Sequence, residues 1–134
     1  MSKKLLLLCL VMIFLLFALL FNYNYHKKYP SLSLSEINRL EIASVWFNGD
    51  ISSQSDADKI VKFFNELQLY SMGNYKFPHE SADAYIKLYN ASDKLVFEFW
   101  CYGGNGLMDV IADKRYYIKD SAMENLYDIL RELG

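Results

Sequence analysis

The chain has 134 residues, of which 53% are hydrophobic, and a formal net charge of −2 at pH 7. Its charges are unevenly spread: 10 basic and all 16 acidic residues lie beyond residue 28, which gives that part a net charge of −6. An acidic domain has little to neutralise phosphate groups. The composition therefore argues against nucleic acid, and against an anionic lipid surface, as its partner.

The N-terminal segment begins with two lysines and continues as an apolar run at residues 5–21, without a charge or a proline. As a helix, this run spans about 26 Å, slightly less than the ~30 Å hydrocarbon layer of a bilayer. Tyr23, Tyr25 and Tyr29 come after it, and tyrosine rings favour the headgroup zone. The segment therefore predicts a transmembrane helix within residues 1–28.

Such a leader has three fates: lipidation, cleavage or retention in the membrane. Lipidation needs a small residue before the modified cysteine, but Cys9 comes after Leu8 and lies near the start of the run. Cleavage needs small residues at alternate positions near the end of the run, where Ala18 is the only one. Cleavage stays the alternative, and the favoured prediction is an uncleaved signal anchor.

The charges on the two sides of the run indicate its orientation. Lys3, Lys4 and the terminal amine lie on one side and Lys27 and Lys28 on the other, so the positive-inside bias is about one charge. The remaining chain is acidic, and a short first hydrophobic segment behind a Lys-Lys start normally exports the rest of the chain. We therefore predict a single-pass protein of the cell membrane whose C-terminal domain lies outside.

After the anchor, the sequence predicts a linker at residues 29–35 and one extracytoplasmic domain at residues 36–134. The domain's one cysteine, Cys101, cannot pair with Cys9 inside the membrane run, so no disulfide stabilises it. Secreted eukaryotic domains of this size usually contain disulfides, whereas exported domains of Gram-positive bacteria ordinarily do without them. The cysteine usage therefore indicates a bacterial protein.

The first half of the domain predicts a strand and then a helix. Alternating β-branched and aromatic residues predict a strand at residues 37–47, residues 48–50 (Asn-Gly-Asp) predict a turn, and residues 51–53 give a weak strand signal. Ser55 is the predicted N-cap of the helix, and residues 70–81 predict a loop. The apolar stripe of the helix consists of Ala57, Ile60, Val61, Phe64 and Leu67.

The clearest strands lie at residues 82–89 and 95–102 and predict an antiparallel hairpin with a four-residue loop. This loop length predicts three cross-strand pairs, which are Tyr89 with Val96, Lys87 with Glu98, and Tyr85 with Trp100. Opposite-charge and aromatic pairs across strands are favourable. The other face of the hairpin carries the predicted core residues Ala84, Ile86, Leu88, Leu95, Phe97, Phe99 and Cys101.

The end of the chain predicts two more strands, at residues 107–112 and 115–119, and a helix that opens with a capping box of Ser121 and Glu124. The predicted buried positions of this helix are Ala122, Met123, Leu126, Tyr127, Leu130 and Leu133. The predicted fold class is α+β, in the order β-α-β-β-β-β-α, with an antiparallel meander sheet and both helices on one face.

This arrangement resembles a broad group of small exported proteins of unknown function from low-GC Gram-positive bacteria. The segments that carry the resemblance are "SDADKIVKFFNELQL", "AYIKLYNASDKLVFEFW" and "KRYYIKDSAMENLYDIL", within residues 36–133. The resemblance implies a signal-anchored envelope protein and carries over no catalytic position. Some immunity proteins, which protect bacteria from secreted toxins, are similar in layout.

Catalytic and metal-binding chemistry has little support in the sequence. Cys101 and His79 are the only nucleophile and base pair, but the strand pattern puts Cys101 in the core, where its thiol is inert. The histidines have no zinc-ligand spacing, and the aspartates form no calcium loop. Glu98 and Asp109 can share a sheet face like a glycosidase pair, but Lys87 already accounts for Glu98. We therefore predict no catalytic residue, metal or cofactor.

The sheet face that points away from the predicted core carries large aromatic residues among charges. Such a surface is typical of protein interfaces, so we predict a protein partner in the envelope, either a secreted toxin or a regulated envelope protein. The candidate binding residues are Tyr85, Tyr89, Trp100, Tyr102, Lys87 and Glu98, with Asp109 beside them.

Two alternatives stay open. In the first, the aromatic rings only favour strand formation or are covered by residues 29–50. In the second, the protein is an envelope enzyme or a small-ligand binder that uses the loop at residues 70–81, in a pocket lined by His79, Glu80 and Cys101.

Overall fold

The computed structural model describes residues 2–23, 27–51, 53–73, 76–77, 81–103 and 105–133. Within these ranges the chain is α+β, with three helices and eight strands. In chain order the elements are α1 (Lys3–Tyr23), β1 (Lys28–Tyr29), β2 (Arg39–Ser44), β3 (Asn48–Ile51), α2 (Gln54–Glu66), β4 (Leu69–Tyr70), β5 (Ala84–Tyr89), β6 (Leu95–Tyr102), β7 (Gly106–Asp109), β8 (Lys114–Tyr117) and α3 (Asp120–Leu133).

The strands form one antiparallel sheet in the order β1-β4-β8-β7-β6-β5-β2-β3. The predicted meander corresponds to β5–β8 at its centre. The predicted first strand corresponds to β2, which lies beside β5. The sheet is wider than predicted, because β3 extends it beyond β2 while β4 and β1 extend it beyond β8. With two residues each, β1 and β4 have no local pattern from which they could be recognised.

The β2–β3 hairpin differs from its prediction. The predicted strand at residues 37–47 ends at Ser44, and the predicted turn at residues 48–50 is part of β3. The Ser44 hydroxyl accepts hydrogen bonds from the backbone N–H groups of Trp46 (3.2 Å) and Phe47 (3.0 Å), which places the turn at residues 45–47, nearer the N-terminus than predicted. Gly49 then lies in a strand with φ of +135°, a conformation that favours glycine.

Helix α2 begins two residues earlier than predicted. Ser53, and not Ser55, is its N-cap, and the Ser53 hydroxyl accepts a hydrogen bond from the Asp56 backbone N–H at 3.4 Å. The predicted apolar stripe is largely confirmed, since Val61 is half-buried and the other four members are buried. Phe63, which was not predicted, is buried as well and contacts Phe64 edge-on, with ring centroids 5.3 Å apart.

The β5–β6 hairpin has the predicted Lys87–Glu98 and Tyr85–Trp100 pairs, but its loop is longer than predicted. A bulge between Leu88 and Tyr89 places Tyr89 opposite Leu95 instead of Val96. The Asn90 side chain favours the longer loop, because its carbonyl oxygen accepts hydrogen bonds from the backbone N–H groups of Ser92 and Lys94, both at 3.0 Å.

The last two strands are shorter than predicted, because β7 ends at Asp109 and β8 at Tyr117. Helix α3 already begins at Asp120, so Ser121 lies in its first turn and the predicted capping box is wrong. The buried face of α3 is confirmed. Met123, Leu126, Tyr127 and Leu130 are buried, and Ala122 and Leu133 pack partly buried against the core.

Helices α2 and α3 lie on the same face of the sheet, as predicted, and the core lies between them and the strands. Phe64 of α2 stacks on Phe99 of β6 with ring centroids 4.4 Å apart, and both side chains are fully buried. The predicted linker also contacts this domain. Leu34 is buried, its backbone N–H donates to Asn65 Oδ1 (2.6 Å), and its carbonyl accepts from Asn65 Nδ2 (3.1 Å).

Helix α1 has 21 residues, and its Lys3–Leu20 portion has a mean hydropathy of 2.6 with none of it buried. It is the one helix in the described part of the chain that is long and apolar enough to cross a membrane. These properties are compatible with a single-pass anchor and with a signal sequence. Four residues separate its last residue, Tyr23, from the first residue of β1.

Candidate binding surface

The sheet has a second face, opposite α2 and α3, which we call the outer face. The strand register sets which side chains share it, because directly paired residues point to the same side. One row across β2, β5 and β6 consists of Ala43, Tyr85 and Trp100, and the next row consists of Glu41, Lys87 and Glu98.

These two rows line a shallow depression of about 250 Å³. Tyr85 and Trp100 meet edge to face at its centre, with ring centroids 5.3 Å apart. Four of the six predicted binding residues are among its lining residues, which are Glu41, Ala43, Tyr85, Lys87, Glu98 and Trp100. The prediction missed Glu41 and Ala43. The alternation of buried and outward residues in β2 was the signal that could have found them.

The charges around the depression are partly paired. Lys87 Nζ lies 3.8 Å from Glu98 Oε1, and the Glu98 side chain is only 14% exposed. An ion pair this long and partly exposed contributes about 0–1 kcal/mol, so both groups are able to exchange it for contacts with a bound molecule. The depression therefore has an aromatic floor and a rim that contains both signs of charge.

Tyr89 lies beside the depression, where Arg39 covers it. The Arg39 guanidinium carbon is 3.9 Å from the Tyr89 ring centroid, and the Tyr89 hydroxyl donates to Glu41 Oε2 at 3.2 Å. The hydrogen bond to Asp93, together with the negative charges of Asp93 and Asp50, raises the pKa of Arg39 above its usual value. Tyr89 thus supports this edge of the depression and does not open into it.

Tyr102 is covered, contrary to its prediction as part of an open surface. It is 6% exposed, and the Phe77 ring contacts it edge-on with centroids 4.7 Å apart. Burial is the main reason why the pKa of the Tyr102 phenol is raised. Phe77 lies between β4 and β5 in the chain, so Tyr102 is not covered by residues 29–50 as one alternative proposed, whereas Tyr89 is covered by Arg39, which belongs to that range.

Asp109 does not lie on the outer face. It pairs with Phe99, whose ring is in the core, and is itself buried on the helix side, where its Oδ1 accepts a hydrogen bond from the Ala112 backbone N–H at 3.1 Å. Glu98 and Asp109 therefore point to opposite sides of the sheet. A glycosidase-like pair of these two carboxylates is excluded, because such a pair must face one substrate.

Cys101 is fully buried on the helix side of the sheet, as the strand pattern predicts. Burial raises the pKa of its thiol to about 12, so the nucleophilic thiolate is scarce at neutral pH. Phe77, from the loop at residues 70–81, contacts Tyr102 on the opposite face of the sheet from the Cys101 side chain, and Tyr70 itself belongs to β4. His79 and Glu80 lie outside the described residues.

One side-chain hydrogen bond between α3 and the segment before β5 was not apparent from the sequence. The hydroxyl of Tyr127 in α3 donates to Asp83 Oδ2 at 3.0 Å, and burial together with this hydrogen bond raises the pKa of Tyr127. Trp46 packs against the Tyr127 ring with centroids 4.7 Å apart. These contacts tie α3 to the start of β5 and stabilise the fold.

Within the described ranges, no group of three His, Cys, Asp or Glu side chains is placed so that it could hold a metal ion. No protein-family model, no curated protein and no solved structure matches this chain. The resemblance to small signal-anchored exported proteins therefore stays a prediction, and the depression on the outer face carries the functional interpretation.

Proposed function

We propose that the chain is a single-pass protein of a bacterial cell membrane, with α1 as an uncleaved anchor and the α+β domain outside the cell. The 21-residue helix spans about 31 Å and its apolar part at residues 5–21 about 26 Å, lengths that lie on either side of the ~30 Å hydrocarbon layer. Its leucine and phenylalanine side chains are exposed all around the helix at residues 5–20, an arrangement that lipid favours and water does not.

The anchor is tested by the mass of the mature chain and by protease added to intact cells. We expect a chain that retains residues 5–21 and a domain that the protease digests. A mature chain that begins after residue 21, or a domain that is digested only after the cells are lysed, would contradict this topology.

We further propose that the domain binds another protein of the envelope and performs no catalysis. The observation that carries this proposal is the Tyr85–Trp100 pair, which lies at the centre of an exposed depression with a charged rim. Aromatic anchors within a polar rim are enriched at the energetic centres of protein interfaces. A secreted toxin that the protein neutralises and an envelope protein that it regulates are the two partner classes.

Photo-crosslinking in living cells tests this surface. A photoreactive phenylalanine analogue at Tyr85 is expected to give one crosslinked adduct, and Trp100→Ala in the same chain is expected to abolish it because it removes the other half of the aromatic pair. The analogue at Ile111, an exposed residue of the β7–β8 turn, is the matched control.

Two results would refute the proposal. One is an equal yield of the same adduct from positions 85 and 111, which would indicate contact without specificity. The other is an adduct at position 85 that survives Trp100→Ala while the circular dichroism spectrum shows an intact fold.

A further inference from the structure

Six of the twelve basic residues from Lys27 onward lie at one edge of the sheet. Strands β1, β4 and β8 contain no acidic residue, although the chain after residue 28 has a net charge of −6. Six exposed basic residues lie on these strands, beside them or on the adjoining loop, and we call this group the basic edge. Its members are Lys27, Lys28, Lys76, Lys114, Arg115 and Lys119.

These charges are not neutralised locally. None of the six forms a salt bridge with an acidic residue in the described ranges. Two lie near aromatic rings instead: Lys119 Nζ is 5.5 Å from the Tyr70 ring centroid, and the Arg115 guanidinium carbon is 5.3 Å from that of Phe77. An aromatic face holds a cation in place without cancelling its charge, so Lys119 and Arg115 remain available to an anionic partner.

The basic edge also contains a small aromatic depression. Tyr29 and Tyr116 meet edge to face with centroids 5.8 Å apart, and together with Lys114 and Arg115 they line a depression of about 240 Å³. Tyrosine rings beside lysine and arginine side chains are the combination that favours the headgroup zone of a membrane.

The chain connection places this edge next to the bilayer. Five Cα-to-Cα steps lead from Tyr23, the last residue of α1, to Lys28 in β1, and five steps span at most about 18 Å even when fully extended. The surface potential of an anionic leaflet decays over about 8–10 Å at physiological salt. With α1 in the membrane, β1 therefore lies no more than about two screening lengths from the surface, and a modest attraction suffices to bring it into contact.

We propose that the basic edge docks on the anionic lipid headgroups of the leaflet from which α1 emerges. This inference rests on the proposed anchor. Docking orients the domain with β1 towards the lipid and β3 away from it. The net acidic charge does not prevent docking, because an exposed charge more than one screening length from the headgroups contributes little.

The test uses the full chain in lipid nanodiscs and measures energy transfer from a dye on the domain to acceptor-labelled headgroups. One dye position is Ala112, in the turn that precedes β8, and the other is Val45, an 80% exposed residue in the β2–β3 turn at the far side of the sheet. Each is replaced by cysteine in a Cys9→Ala background. Cys101 is left in place because it is buried.

We expect stronger transfer from position 112 than from position 45 in discs that contain phosphatidylglycerol. A triple variant, Lys76→Glu, Lys114→Glu and Lys119→Glu, is expected to lower the ratio of docked to undocked domains more than a hundredfold, since each basic residue at an anionic surface contributes about fivefold. The matched control Lys59→Glu, Lys62→Glu and Lys94→Glu makes the same charge change elsewhere and is expected to leave the transfer unchanged.

The outcomes separate this inference from the proposed anchor. Equal transfer from positions 112 and 45 would overturn lipid docking. So would transfer from position 112 in phosphatidylglycerol discs that does not fall when the discs are purely phosphatidylcholine or when the triple variant is used. Such a result would indicate that the basic edge binds a protein and not lipid headgroups. Failure of the anchor looks different, because the chain would then not purify with the discs and neither dye would report transfer.

Discussion

Asn65 holds the segment before β2 on the domain, and its removal tests how firmly that segment is fixed. The side chain makes two hydrogen bonds to the backbone of Leu34, at 2.6 Å and 3.1 Å, in a partly buried site. A hydrogen bond of this type contributes about 0.5–1.5 kcal/mol, so Asn65→Ala is expected to lower the stability of the local contact by about 1–3 kcal/mol. Asn65→Asp keeps an acceptor for the Leu34 N–H and loses the donor, so about half of this loss is expected.

Hydrogen exchange at the Leu34 amide measures the effect directly. A loss of about 1–3 kcal/mol corresponds to exchange about 5- to 150-fold faster in Asn65→Ala, with an intermediate rate in Asn65→Asp. Amides in β5 and β6 are the internal reference and are expected to retain their protection. If the Leu34 amide exchanged at the wild-type rate in Asn65→Ala, the segment would be fixed by the burial of Leu34 alone, and the reasoning from hydrogen bonds would be wrong.

Two further predictions concern the core. Phe64→Ala is expected to lower the free energy of unfolding by about 3–5 kcal/mol, because it leaves a cavity against Phe99; chemical denaturation measures this, and a loss below about 1 kcal/mol would contradict the described stacking. Cys101 is expected to make the free energy of unfolding depend on pH in the alkaline range. Burial raises its pKa from 9.0 to about 12, so the folded protein retains the thiol proton after the unfolded chain has lost it, and this contribution is complete below pH 9 and lost as pH rises towards 12. Cys101→Ala is expected to flatten the stability profile over that interval, and an unchanged slope would show that another group causes it.

The sequence was most informative where side-chain pattern and strand pairing reinforce each other. Lys87 with Glu98 and Tyr85 with Trp100 are favourable pairs in one register only, so the centre of the hairpin could be predicted from its residues alone. The buried faces of α2 and α3 were likewise predictable, because a helix stripe repeats over several turns.

The errors occurred where tertiary contacts override local signals. The Asn-Gly-Asp triplet is typical of a turn, yet the Ser44 hydroxyl organises an earlier turn and draws these residues into β3. Nothing local in the sequence shows that Phe77, between β4 and β5, packs on Tyr102 at the outer face. The prediction therefore identified the aromatic pair that lies in the depression but overestimated how much of the outer face is exposed.

With α1 as the proposed membrane anchor, the short connection between α1 and β1 limits how far from the membrane the domain can bind a partner. Adjacent strands lie about 4.8 Å apart, and four to five strand spacings separate β1 from β6 and β5, so the depression lies about 19–24 Å across the sheet from β1. With α1 in the bilayer, a molecule embedded deep in the cell wall is out of reach. A suitable partner either projects from the same membrane or approaches within a few nanometres of it.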